Sequence, residues 1–171
     1  DAARHLKNWS NIRVVFVGEG VKKADLEKRV MEQALTNVVF RPYQPKERLH
    51  ESFASADVFA VSLKPGLAGY IVPSKVYGIL AAGRPYVAAV EEESEVAQIA
   101  EKYDCGLRVD PGDSERFAER ILRLYQDREL VRQLGANARQ ASAAVDRHLH
   151  VRAYYDLFRE LTARRTSPAG G

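Results

Sequence analysis

Short apolar runs alternate with stretches of helical spacing along most of this sequence, and that alternation limits the fold more than any other feature. Apolar or β-branched runs occupy positions 12–17, 38–41, 58–62 and 86–89, with a weaker one at 106–109. Each has the length of a strand, and the near absence of polar residues within them predicts strands that are mostly buried. Between them, residues 22–34, 45–55, 74–82 and 93–103 place apolar side chains three or four apart, which predicts helices. Such alternation puts helices on both faces of a parallel sheet, because a right-handed crossover returns each strand beside an earlier one. The expected class is α/β, a doubly wound parallel sheet.

After the fifth run the spacing is helical only. Asp113 is placed to cap a helix whose stripe is Phe117, Ile121, Leu124 and Tyr125. A second helix follows Asp127, with Leu130, Leu134 and Ala138 inward, and a third carries Val151, Tyr154, Tyr155, Phe158 and Leu161. These C-terminal helices are expected to pack back on the sheet. The residues before Ile12, with Leu6 and Trp9, read as a helix of the kind that follows a strand. Position 1 is Asp and the only methionine is Met31, so the expectation is a piece of a longer polypeptide whose first strand lies upstream. A chain of 171 residues supports one core, expected over 1–163, with a disordered Pro/Gly/Ser-rich tail over 164–171.

Composition narrows the function classes. Apolar residues at 46% and charged residues at 29% argue for a folded globular chain. A net charge of only +3, with Arg interleaved among acids, gives no basis for a nucleic-acid partner. No apolar run approaches the ~20 residues needed to span a bilayer. One cysteine, Cys105, cannot form an internal disulfide, and no signal-peptide pattern is present, so the expected location is cytoplasmic. Cys105 itself reads as a small core residue. His5, His50, His148 and His150 lack partners at metal-ligand spacing, so no metal is expected.

Ligands of open parallel sheets bind beyond the carboxyl ends of the strands, which directs attention to three loops. The first is Gly18-Glu19-Gly20, a turn that admits close backbone approach; Lys23 stands where a dinucleotide fingerprint needs its third glycine. The second, from Arg41 through Pro42 and Tyr43 to Pro45, presents a cation and a ring on which a base can stack. The third runs from Lys64 through Gly66, Gly69 and Tyr70 to Ser74 and Lys75, straight into a helix. Ser74 is expected to cap that helix, whose first N–H groups and Lys75 would together suit a diphosphate. The acidic positions Glu91, Glu92, Glu93 and Glu95 either reach a sugar hydroxyl or form a solvated helix start, and the solvated reading is favoured.

The segments VGEG at 17–20, NVVFRPYQP at 37–45, ADVFAVSLKPG at 56–66, PSKVYGILAAGRP at 73–85 and CGLRVDPGD at 105–113 carry a family resemblance. In order and spacing, the chain resembles the C-terminal, donor-binding half of family-4 glycosyltransferases over about residues 10–160. Within that family it is most similar to bacterial amino-sugar transferases of surface-polysaccharide synthesis. The resemblance implies half of a GT-B fold: a Rossmann-like domain with C-terminal helices that holds a nucleotide sugar, the acceptor belonging to an absent N-terminal half. It implies retaining transfer from a UDP-sugar donor without metal or other cofactor. The acceptor would be a polysaccharide or a lipid-linked chain at the inner-membrane surface.

By position, the resemblance implies nucleotide contacts from Gly18, Glu19, Gly20, Arg41, Tyr43, Ser74, Lys75, Tyr77 and Gly78. Lys64, Gly66, Gly69 and Tyr70 would lie near the donor sugar, and Lys75 would be the catalytic cation. Many members carry two glutamates eight positions apart. Tyr70 and Gly78 stand there instead, so backbone at 66–69, Tyr77 or acids at 91–95 would take over ribose and sugar contacts. Two alternatives stand beside this: the NADP-binding domain of an oxidoreductase, with Arg41 at the cofactor phosphate, and a non-catalytic nucleotide-binding module.

Overall fold

The structure is a computed structural model that describes residues 1–145 and 147–166. Its elements run α1 (Ala2–His5), β1 (Val14–Val17), α2 (Lys23–Glu32), β2 (Val38–Arg41), a 3-10 turn (Lys46–Arg48) leading into α3 (Leu49–Ser55), and β3 (Phe59–Ser62). They continue through α4 (Lys75–Ala81), β4 (Tyr86–Ala89), α5 (Glu95–Tyr103), β5 (Gly106–Val109), α6 (Ser114–Gln126), α7 (Arg128–Ala144) and α8 (Arg147–Thr166). All strand pairs are parallel, and helices cover both faces of the larger sheet, the Rossmann-like α/β arrangement that the alternation predicts.

β4 organises the core because it is the central strand of β3-β4-β5 and carries almost no polar atoms. Its side chains alternate between faces. Tyr86 and Ala88 join Val76, Ile79 and Leu80 of α4, Val96 and Ile99 of α5 and Ala138 of α7, while Val87 joins Leu124 and Leu134 on the other side. Full burial of each such aliphatic side chain contributes roughly 1.5–3 kcal/mol. Asp113 and Asp127 cap α6 and α7, accepting from the Arg116 and Leu130 amides at 2.9 Å each.

Two expectations need correction. The five strands do not form one sheet: β1 pairs only with β2, and the larger sheet is separate. β1 is consequently not a buried strand, and Val15, Phe16 and Val17 are 51%, 43% and 49% exposed. Within the described residues β1 pairs only with β2 and β3 only with β4, so each has one edge without a strand partner. α1 holds the smaller sheet in place. Leu6 and Trp9 pack on Ala118 and Tyr125 of α6, and Asn37 Nδ2 donates to the Ala3 carbonyl at 2.9 Å.

The second correction concerns α8. Val151, Tyr154, Tyr155, Phe158 and Leu161 do share a helical stripe, but all five are between 49% and 64% exposed and do not pack back on the sheet. Helical spacing sets which side chains share a face, not what covers that face. α8 continues to Thr166, past the expected boundary at 163, and positions 167–171 of the expected tail lie outside the described residues, as do the side chains of His148 and His150. Among the described residues, no helix is long and apolar enough to cross a membrane.

Cys105 is the core residue that its surroundings predict. It is fully buried, with Sγ 3.5 Å from the Ile99 carbonyl, and beside it the Tyr86 hydroxyl donates to Val96 O at 2.9 Å. Burial pushes the thiol pKa up to about 11. An acid whose pKa is raised by folding stabilises the native state below its unfolded pKa, and that stabilisation is lost as pH rises toward the folded value. Denaturant titrations are therefore expected to show stability falling between about pH 9 and 11, and a Cys105→Ala variant should lose that part of the slope.

Candidate functional site

Within each sheet the loops that follow the strands lie at one rim, because parallel strands present their carboxyl ends on the same side. At the first loop Gly18 takes φ +120°, open only to glycine, and a Cβ there would stand 3.1 Å from the Tyr43 ring. The Gly18 amide donates to the Arg41 carbonyl at 2.9 Å. These contacts join the first two loops: the Tyr43 ring lies along the Gly18 turn, yet 70% of the residue remains exposed. One face of an aromatic ring is thus supported by backbone while much of its surface stays open for stacking. Gly20 has open space around it. Glu19 does not point at the rim as a free carboxylate, since Lys23 donates to it at 2.8 Å and the Lys23 pKa is raised by that bond.

The third loop crosses from β3 to α4. Lys64, Ser74 and Lys75 are all exposed on it, and the side chains of Arg41, Lys64 and Lys75 have no ion-pair partner among the described residues. Tyr70 is 86% exposed. Ser74 is not the capping residue that its position predicts: its backbone is already helical (φ −56°, ψ −20°) and its side chain makes no capping bond. The reason is the turn just before it, in which the Val76 amide donates to the Pro73 carbonyl at 3.0 Å. One of the N–H groups expected for an anion is taken, which leaves the positive charge of Lys75 as the stronger feature of this helix end.

Residues 1–141 match the family described as "Glycosyl transferases group 1". The chain belongs to that family. Two curated relatives are the putative colanic acid biosynthesis glycosyl transferase WcaI of Escherichia coli K12 and the probable glycosyltransferase WbjE of Pseudomonas aeruginosa. WcaI is 36% identical over 60% of this chain, and WbjE 28% identical over 62%. The chain spans about a quarter of the length of these relatives, 25% and 26%. Among solved structures, sucrose-phosphate synthase of Thermosynechococcus elongatus superposes with a TM-score of 0.78 at 22% identity, over 95% of this chain and 41% of that one. Anabaena HepE in complex with UDP and glucose gives a TM-score of 0.69 at 18% identity, over 84% of this chain and 38% of that one. These likenesses establish the GT-B type of fold for this glycosyltransferase domain.

Within the group 1 domain, the structure separates the remaining candidates. Gly78 is half-buried on α4, and a Cβ there would meet the Phe53 ring at 3.0 Å. It is a packing surface for α3, and a carboxylate at this position would displace Phe53. Tyr77 is at the rim, with its hydroxyl donating to Glu95 Oε1 at 2.8 Å; desolvation first, and then this bond, raise its pKa.

Glu91 corrects the solvated reading of the acidic run: its two oxygens accept from the Gly66 amide at 3.0 Å and the Ala68 amide at 3.2 Å. The signal in the sequence was indirect. A Gly/Ala-rich loop has amides but no side-chain acceptors of its own, so an acid on the neighbouring strand end is the natural partner. The shallow concavities lined by Glu119 and Arg123, and by Asp57, Pro85 and Arg139, lie around α6 and α7, the latter at the amino ends of β3 and β4, away from this rim. Among the described residues no His/Cys/Asp/Glu group is arranged to hold a metal ion.

Proposed function

We propose that this domain, spanning residues 1–163, binds the nucleotide sugar of a retaining glycosyltransferase, and that the donor is UDP-linked. The observation that carries the reading is the joining of the first two loops. A ring supported by the Gly18 turn stands open at Tyr43 next to Arg41, and the β3–α4 loop carries Lys64 and Lys75; none of the three cations has an ion-pair partner among the described residues. A stacking surface beside positive charge suits a nucleoside diphosphate, and HepE, of similar fold, has been seen with UDP. Tyr43 and Arg41 would take the base and Lys75 the diphosphate. Lys64 and the backbone of Gly66 and Gly69 would face the sugar, with Tyr70 beside them.

In the transfer step the bond from the anomeric carbon to the phosphate oxygen breaks, an acceptor hydroxyl oxygen bonds to that carbon and gives its proton to the departing diphosphate, and negative charge grows on that diphosphate as it leaves. Lys75, with the exposed end of α4, stabilises that charge, an effect that strengthens when a closed cleft excludes water. No metal or other cofactor is required for this. Closure needs a second half, the acceptor domain. The acceptor would be a polysaccharide or lipid-linked chain at the cytoplasmic face of the membrane, and the domain alone binds without turnover.

Calorimetric titration with UDP tests the reading against its NADP rival. Heat and chemical-shift changes are expected with UDP and none with NADPH. An intact domain that shows neither at millimolar UDP, equivalent to an affinity weaker than about 4 kcal/mol, overturns it.

A further inference from the structure

The connection from β3 to α4 has little of its own to hold it. Ile71 is 50% exposed and Val72 37%, and its internal backbone bonds among residues 63–74 are those from Tyr70 and Ile71 to the Leu67 carbonyl, both 3.2 Å. Gly66 and Gly69 take φ +80° and +78°, a conformation that side chains rarely adopt, so no side chain at these two turns helps to anchor the path. What fixes it comes from the next loop. Glu91 follows the buried Val90 at the end of β4, and its carboxylate takes the Gly66 and Ala68 amides, one on each oxygen. Four residues later Glu95 opens α5 behind Ser94, which is 2% exposed and caps the helix by accepting from Ala97 N at 3.2 Å. Glu95 in turn receives the Tyr77 hydroxyl of α4. Both carboxylates therefore stand on rigid supports, and between them they hold the two ends of the segment that bears Lys75. Hydrogen bonds to an ionised acceptor are roughly twice as strong as neutral ones.

We infer that Glu91 and Glu95 are positioning residues, a pair of carboxylates on the β4–α5 loop that clasp the β3–α4 connection and set the backbone and lysine facing the donor's diphosphate and sugar. The role rests on the nucleotide-sugar reading above. It also separates functions along the ligand: the base side, at Arg41 and Tyr43, belongs to the β1–β2 sheet and does not depend on the clasp.

The test uses Glu91→Gln, which keeps the side chain's size but turns an N–H group toward one amide, and Tyr77→Phe, which removes only the hydroxyl that reaches Glu95. Amide exchange at Gly66 and Ala68 is expected to quicken at least tenfold in Glu91→Gln, while Val87 and Ala88 in β4 stay protected. With UDP-glucose as probe, affinity should fall tenfold or more in Glu91→Gln and several-fold in Tyr77→Phe, while uridine affinity stays within twofold for both. Exchange at Gly66 and Ala68 that does not change overturns the clasp. Equal losses for uridine and UDP-glucose, or no loss for either, overturn its role in positioning. A parent domain that binds neither compound, yet whose variant amides quicken, refutes the nucleotide reading and leaves the clasp as a purely structural tie.

Discussion

Replacing Lys75 by alanine is expected to weaken UDP binding by about 10- to 150-fold, the equivalent of the ~1.5–3 kcal/mol carried by hydrogen bonds to a charged group. The size follows from how little else the helix end supplies. α4 has seven residues, the Val76 amide is already bonded to Pro73, and the Ser74 hydroxyl caps nothing, so the ammonium is the main positive charge there. Lys75 is exposed and has no ion-pair partner among the described residues, so its loss should move the melting temperature by no more than about 2 °C, as for surface substitutions away from structural features. Calorimetry at two salt concentrations checks both parts. The parent's affinity should fall as salt rises, and the variant's should fall less, because the screened charge has gone. A variant with the parent's affinity and salt dependence would place the diphosphate elsewhere and favour the non-catalytic module.

The sequence made some of these elements legible and hid others for physical reasons. β2, β4 and β5 fall on the residues where their apolar runs predict them. β1 begins two residues late because the Ile12 amide is spent in a turn on the Trp9 carbonyl. The cap at Asp113 and the helix start after Asp127 were legible because an Asx cap is a local interaction. Ser74 looked equivalent and is not, since Pro73 starts a turn that carries Ser74 into helical geometry before it can act as a cap. The division into two sheets and the exposure of α8 depend on what lies beside an element, and periodicity within the element holds no information about that. Glu91 and Glu95 were hidden for a related reason: their partners lie 25, 23 and 18 residues away, and only the register of β3 against β4 brings them together.

The largest expected loss of stability comes from Gly135→Val, a buried position on α7 that faces the turn between α4 and β4. A Cβ on residue 135 would stand 2.7 Å from the Gly83 carbonyl oxygen and 3.7 Å from the Pro85 ring, and the nearer obstacle is backbone, which cannot rotate aside. Overpacking of this kind costs ~3 kcal/mol. For a domain of this size that corresponds to a melting temperature lower by about 6–12 °C.

Thermal unfolding followed by circular dichroism measures it, with Gly20→Ala as the control. Residue 20 has nothing within 4 Å of a built Cβ and no positive φ, so that variant should melt within about 2 °C of the parent. The strain should also reach the site. Ile79 and Leu80 are buried in the same cluster as β4 and α7, so pressure on the Gly83 turn moves α4 as a unit and carries Lys75 with it. UDP affinity is thus expected to fall even at temperatures where Gly135→Val is fully folded. A variant that melts with the parent would mean that α7 can retreat from α4, which Leu134 and Ala138, both fully buried next to Gly135 on the same helix, leave little room to do.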